Sequence, residues 1–148
     1  MTVQPAACAF VLQGQPIRCV EFGSGHINST FKVTTDTGHE YVLQRINTYV
    51  FRKPIQLMAN AQAVTDFIRQ RVDDPRMALH FIPTYDGLFY YQDDQGQFWR
   101  MYDYVGGFCL DAPETAEDFY QSALAFGRFQ YLLSDFPADT LFETIPEF

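Results

Sequence analysis

Two β-forming stretches flank Gly23-Ser24-Gly25-His26-Ile27-Asn28-Ser29-Thr30, and a third follows one turn later as Tyr41-Val42-Leu43-Gln44-Arg45-Ile46-Asn47. This arrangement restricts the chain to few folds. β-Branched and aromatic residues over 17–23 and 30–35 predict two strands, and 41–46 predicts a third. Asp36-Thr37-Gly38 supplies the turn between the second and third. Strands joined so closely must meander antiparallel. The loop between the first two is built largely from small residues, so its backbone N–H groups are open to a polyphosphate. The third strand adds a cation, Arg45. Taken alone, however, the loop reads as an ordinary hairpin turn, which is much the commoner use of such a sequence.

The remaining pattern alternates between helix and hairpin. Residues 4–12 predict a short helix ended by Gly14 and Pro16. Pro54 suits a first helical turn, and Ile55, Met58, Ala59 and Ile68 keep near-helical spacing to about residue 72, before Asp73-Asp74-Pro75. Residues 88–92 and 98–104 predict a hairpin around Asp93-Asp94-Gln95-Gly96. Gly106-Gly107 then breaks the pattern, dividing the chain into 1–105 and 106–148. A last helix is predicted over 114–134, with acids at its start as the helix dipole favours. Its stripe from Phe119 to Phe129 reads as core rather than as a platform for a sugar. The fold class is α+β.

Charge and composition narrow the partners. The chain has 148 residues, and 18 Asp and Glu against 10 Lys and Arg give a net charge of −8, which disfavours nucleic acid and anionic lipid as general partners. A small anion remains compatible, because local N–H dipoles and one cation outweigh a distant net charge. At 47% apolar the chain has material for a core. Cys8, Cys19 and Cys109 lack metal-ligand spacing and read as buried, reduced thiols. The longest apolar run, residues 6–12, is too short to cross a bilayer and has no basic segment before it. The expectation is a cytoplasmic protein without membrane contact. His26, His39 and His80 have no partner at a telling spacing and read as ordinary histidines.

The order of strands, with a glycine loop first and a cation on the third strand, resembles the amino-terminal lobe of the protein-kinase-like fold. The wording is similar to the aminoglycoside phosphotransferase and choline kinase branch. It resembles most the bacterial N-acetylhexosamine 1-kinase group, through residues 25–31, Leu43-Gln44-Arg45-Ile46-Asn47, Arg100-Met101-Tyr102-Asp103-Tyr104, residues 125–130 and Glu143-Thr144-Ile145-Pro146. What the resemblance implies is an antiparallel five-stranded sheet with one helix, then a hinge and the first helix of a truncated carboxyl-terminal lobe.

The resemblance also implies roles. The loop, Gly23 to Thr30 with every residue between, would close over the phosphates of ATP, with Asn28 in place of a third glycine and its amide bracing the turn. Arg45 would grip the α- and β-phosphates; the alternative is a surface arginine on a half-exposed strand. Leu43 and Arg45 share a face, leaving Gln44 as the candidate for solvent. Asn60 or Gln56 of the following helix would bond Arg45 in place of the usual carboxylate, or phosphate alone would hold it. A carbonyl near Asp103 and an N–H near Val105 would meet adenine, with Tyr102 walling the pocket; as an aromatic strand end, Tyr102 fits a core role equally well.

The proton-accepting aspartate and magnesium ligands of phosphoryl transfer belong to a His-x-Asp loop and a later aspartate. No such triplet occurs in these 148 residues. The expectation is therefore the ATP-binding portion of a sugar kinase, a truncated gene product or fragment that is inactive alone. Magnesium and the sugar acceptor would be bound only by the full-length enzyme. Two rival readings are a non-catalytic nucleotide-binding or protein-interaction module and a purely structural α+β domain.

Overall fold

Turn residues set the limits of five strands, and each strand is short. In the computed structural model, which describes residues 4–23, 25–107, 110 and 112–145, these are β1 (Pro16–Glu21), β2 (Ser29–Thr35), β3 (Glu40–Ile46), β4 (Tyr91–Gln92) and β5 (Phe98–Asp103). They form one antiparallel sheet in the order β1-β2-β3-β5-β4. Helix α1 (Pro54–Arg69) links β3 to the β4–β5 hairpin, and α2 (Ala116–Leu132) follows β5. Ser24, Cys109, Asp111 and Pro146 lie outside the described residues.

The register sorts side chains onto two faces. On one, Phe31, Val33, Tyr41, Leu43, Trp99 and Met101 pack with Ala6, Ala7 and Phe10 from the N-terminal segment. On the other, Ile46 packs with Met58 of α1 and Phe81, and Phe98 and Tyr102 lie against them. Both faces of β3 are buried: Leu43 is 0% exposed, and Val42 on the opposite face is 4%. Truncating Leu43 to Ala removes contacts on every side and costs about 2–5 kcal/mol.

Two expected elements are shorter than their sequence pattern. The N-terminal helix is a 3₁₀ turn, Pro5–Ala9, after which Phe10 bridges Thr84 and the Val11 N–H donates to the Pro83 carbonyl. Pairing with residues 83–85 draws the chain out of the helix. Cys8 is exposed rather than buried, because Ala6 and Ala7 occupy the inward side of that turn. β4 begins at Tyr91 rather than 88, because residues 84–88 close on themselves. The Thr84 N–H donates to the Leu88 carbonyl at 2.7 Å, and the Leu88 N–H to Thr84 Oγ1 at 3.1 Å.

Helix α2 starts in a reciprocal cap. Thr115 Oγ1 accepts the Asp118 N–H, and Asp118 Oδ2 accepts the Thr115 N–H at 2.8 Å. The aromatic stripe expected in the core is instead exposed: Phe119, Phe126 and Phe129 face solvent, and no residue of α2 is buried. Nothing else in the described chain covers that face. The segment after α2 returns to α1, where Phe136 meets Phe67 edge to face at 5.0 Å and Asp135 pairs with Arg71 at 3.1 Å.

Candidate functional site

The base of the glycine loop is closed by the Phe22 N–H donating to the Thr30 carbonyl at 2.9 Å. Gly23 holds φ +82°, which L side chains rarely adopt. A Cβ on Gly23 or Gly25 would meet no heavy atom within 4 Å, so the backbone there is open to close approach. The loop is braced from β3: Asn28 Oδ1 accepts the Asn47 N–H at 2.9 Å, and Asn47 Nδ2 donates to the Ile27 carbonyl at 3.1 Å. The Asn28 amide thus ties the loop to the exit of β3, and Asn47 joins the residues that shape the loop. His26 is exposed.

Arg45 lies on the face opposite α1. It is exposed, donating to Ser29 Oγ at 2.8 Å and Gln97 Oε1 at 3.2 Å. Neither Asn60 nor Gln56 reaches it. Asn60 instead donates through Nδ2 to the Phe142 carbonyl at 2.7 Å and accepts the Phe142 N–H at 2.9 Å. A cavity of about 740 Å³ opens on the Arg45 face, bordered by the described loop residues and by Arg45, Trp99 and Asp93. Asp93 accepts Trp99 Nε1–H at 2.8 Å, and that bond, more than Arg45, holds its carboxyl below the usual range.

Gln44, expected in solvent, is half-buried on the α1 face. Its Nε2 donates to Thr30 Oγ1 at 3.0 Å, and its Oε1 accepts Arg100 Nε at 2.9 Å and Nη2 at 2.7 Å. Arg100 Nη1 points to Met58 Sδ at 3.9 Å. Burial pushes the Arg100 guanidinium down from its ordinary pKa. The same face carries Lys32, 3.9 Å above the Tyr104 ring and 2.9 Å from Glu40, which raises its pKa chiefly by hydrogen bonding. Phe22 meets Tyr104 edge to face at 5.6 Å, joining the loop's base to the residue after β5.

Tyr102 also faces α1 and stacks edge to face on Phe81 at 6.0 Å; burial raises its pKa. Asp103 points the other way and holds His80 Nδ1 at 2.7 Å, a partner that sequence spacing did not suggest. Its N–H donates to the His80 carbonyl at 3.2 Å. Among the described residues, no backbone partner meets the Val105 N–H. The expected site residues thus fall in two sets. The described loop residues and Arg45 adjoin one cavity, whereas Tyr102 lies across the sheet from Arg45, with Asp103 and Val105 at the far end of the strands. Gln44, Arg100, Lys32, Phe22 and Tyr104 gather on the α1 face without having been singled out in the sequence: Gln44 lies on a strand buried on both faces, which gives no alternation, and the others are brought to it only by the sheet register and the ring contact at Tyr104.

No protein-family model matches the sequence. Solved structures do. The aminoglycoside phosphotransferase from Alicyclobacillus acidocaldarius superposes with a TM-score of 0.66 at 15% identity, over 97% of this chain and 38% of that one. Amicoumacin kinase hAmiN, in complex with AMP-PNP, Ca2+ and Ami, gives 0.65 at 16% identity, over 88% of this chain and 38% of that one. The chain therefore spans 38% of the length of each. Its five-stranded antiparallel sheet, with α1 on one face, has the fold of a kinase-like amino-terminal lobe.

Proposed function

We propose that this chain is the ATP-binding portion of a phosphotransferase acting on the anomeric hydroxyl of an N-acetylhexosamine. One relation supports the nucleotide reading. On β3, Tyr41 pairs with Asp103 and Arg45 pairs with Ser29. The strand end beside Val105 and the glycine loop are thus four residues apart, about 13 Å along the strand. An extended nucleoside triphosphate covers such a span, its base at the Val105 N–H and its phosphates under the open backbone at Gly23 and Gly25. hAmiN, of the same fold, was solved with AMP-PNP. The sugar acceptor rests on motif resemblance alone.

Phosphoryl transfer also needs a proton-accepting aspartate and the charge neutralisation that magnesium supplies. We assign this chain the binding of nucleotide. Titration calorimetry with MgATP and with adenosine tests the assignment, and absence of binding by both rejects it. Phosphorus NMR of the full gene product with N-acetylglucosamine and with an aminoglycoside tests the acceptor.

A non-catalytic interaction module is the second reading, favoured by α2. Phe119, Phe126 and Tyr131 are 68%, 70% and 79% exposed on that helix. Sedimentation of the wild type and of Phe119→Ser/Phe126→Ser tests it. Self-association lost in the variant, without nucleotide binding by either, favours this reading.

A further inference from the structure

Arg100 is a partly buried cation without a carboxylate. Among the described residues it forms no ion pair, and Gln44 Oε1, a neutral acceptor, takes two of its N–H groups. Its remaining contacts are uncharged: the weakly accepting Met58 Sδ at 3.9 Å and the Phe81 ring at 5.9 Å. Partly withdrawing a guanidinium from water without a counter-charge is costly, and unpaired cations of this kind gather at sites where an anion binds.

The sheet register says which anion. Thr30, Gln44 and Arg100 lie abreast on β2, β3 and β5, on the α1 face, in the row immediately beneath the glycine loop. Lys32, Val42 and Tyr102 lie abreast two residues nearer to Val105, about 7 Å away. A nucleotide whose base meets Val105 beside Tyr102 carries its phosphates to the Thr30–Gln44–Arg100 row. Arg45 cannot share that ligand, because the sheet stands between them.

Resting on the nucleotide reading above, the geometry points to Arg100, steadied by Gln44 and through it by Thr30, as the phosphate-binding cation of this chain. The β5 arginine takes the part that sequence resemblance gave to Arg45. Gln44 is a positioning residue: it turns the guanidinium along the sheet and ties it to Thr30, the last residue of the loop.

Calorimetric titration of the intact chain with MgATP and with adenosine tests this, using wild type, Arg100→Met, Arg45→Ala and Arg100→Met/Gln44→Leu. Arg100→Met is expected to weaken MgATP binding by about tenfold or more while leaving adenosine within about twofold. Arg45→Ala is expected to change neither. The double variant exchanges a desolvated polar pair for apolar side chains, so without ligand it is expected to melt at or above wild type. MgATP affinity retained in Arg100→Met and lost in Arg45→Ala overturns the inference and leaves the nucleotide reading intact. A double variant that melts far below wild type, or fails to fold, gives the pair a structural role and also overturns it. If the wild type binds neither ligand, the nucleotide reading fails and this inference fails with it.

Discussion

Asn28 and Asn47 fasten the glycine loop to the end of β3, the first by accepting the Asn47 N–H at 2.9 Å, the second by donating to the Ile27 carbonyl at 3.1 Å. Asn47 Oδ1 also accepts the Tyr49 N–H at 3.0 Å, turning the chain toward α1. Two sequence motifs 19 residues apart therefore form one structural unit.

Each of these bonds contributes about 1 kcal/mol. Asn28→Ala is expected to lower stability by about that amount and Asn47→Ala, which removes the bonds to both Ile27 and Tyr49, by about twice as much, with the two changes coupling by about 0.5–1 kcal/mol. Because these bonds fasten the tip of the loop, beyond the Phe22–Thr30 closure at its base, MgATP affinity is expected to fall more than stability does. A double-mutant cycle in urea, repeated by calorimetry, checks both. Additive losses would dissolve the unit.

Gly14 is expected to be the glycine least tolerant of change. It has φ +91°, and a Cβ there would collide with Asp36 Oδ1 and the Thr37 side chain. Those groups hold the N-terminal segment: Asp36 Oδ1 accepts the Gln15 N–H at 2.8 Å, and Thr37 Oγ1 donates to the Gln13 carbonyl at 2.6 Å. Gly87, at φ +77°, has open space around it. Gly87→Ala should cost about 1 kcal/mol from backbone strain alone, and Gly14→Ala about twice that or more. Equal urea midpoints for the two variants would remove the steric argument.

These anchors show what the sequence could and could not disclose. Strand positions were legible because Asp36-Thr37-Gly38 and Asp93-Asp94-Gln95-Gly96 are turns by local chemistry alone. The inward face of β3 was not. Leu43 suggested that its face, with Arg45, was the buried one, yet Val42 and Ile46 are buried on the other. The Pro5–Ala9 segment covers one side and α1 the other, and with two cores the period-two signal cancels. Asn60 was equally hidden, because its partner is 82 residues away.

Acid should weaken the chain through carboxylates that are held ionised. Asp74 is lowered from 3.8 to about 2, chiefly by hydrogen bonding from the Arg76 side chain and then from its backbone N–H. Asp118 is lowered by Thr115, hydroxyl first. A depressed folded pKa gives stabilisation that is present above the unfolded value near 3.8 and is lost as pH falls through the folded value. For Asp74 that window runs from about 4 down to about 2. Tm is therefore expected to fall as pH drops across it. Asp118→Asn should flatten part of the slope and fray the start of α2. Carbon-detected NMR titration of the two carboxyls checks the assignment; an Asp74 that titrates near 3.8 in the folded chain contradicts it.

Asn60 fixes the segment after α2 to α1. Its amide both donates to the Phe142 carbonyl and accepts the Phe142 N–H, at 2.7 and 2.9 Å, as a neighbouring strand would. The Arg71–Asp135 pair nearby is exposed and contributes little by itself. The Phe67–Phe136 contact contributes through apolar area, which a substitution at Asn60 does not touch. Asn60→Ala is therefore expected to release residues 141–145 locally, at about 1–2 kcal/mol, while the sheet stays closed. Hydrogen exchange distinguishes this from general loosening. The Phe142 amide should exchange about tenfold faster or more, whereas the Leu43 amide in the sheet should keep nearly its wild-type protection relative to global unfolding. Equal acceleration at both would mean that Asn60 supports the whole domain and that the tail has no separate attachment. Asp135→Asn provides the control: if the two amide bonds are the fastening, removing the exposed ion pair leaves Phe142 protection almost unchanged.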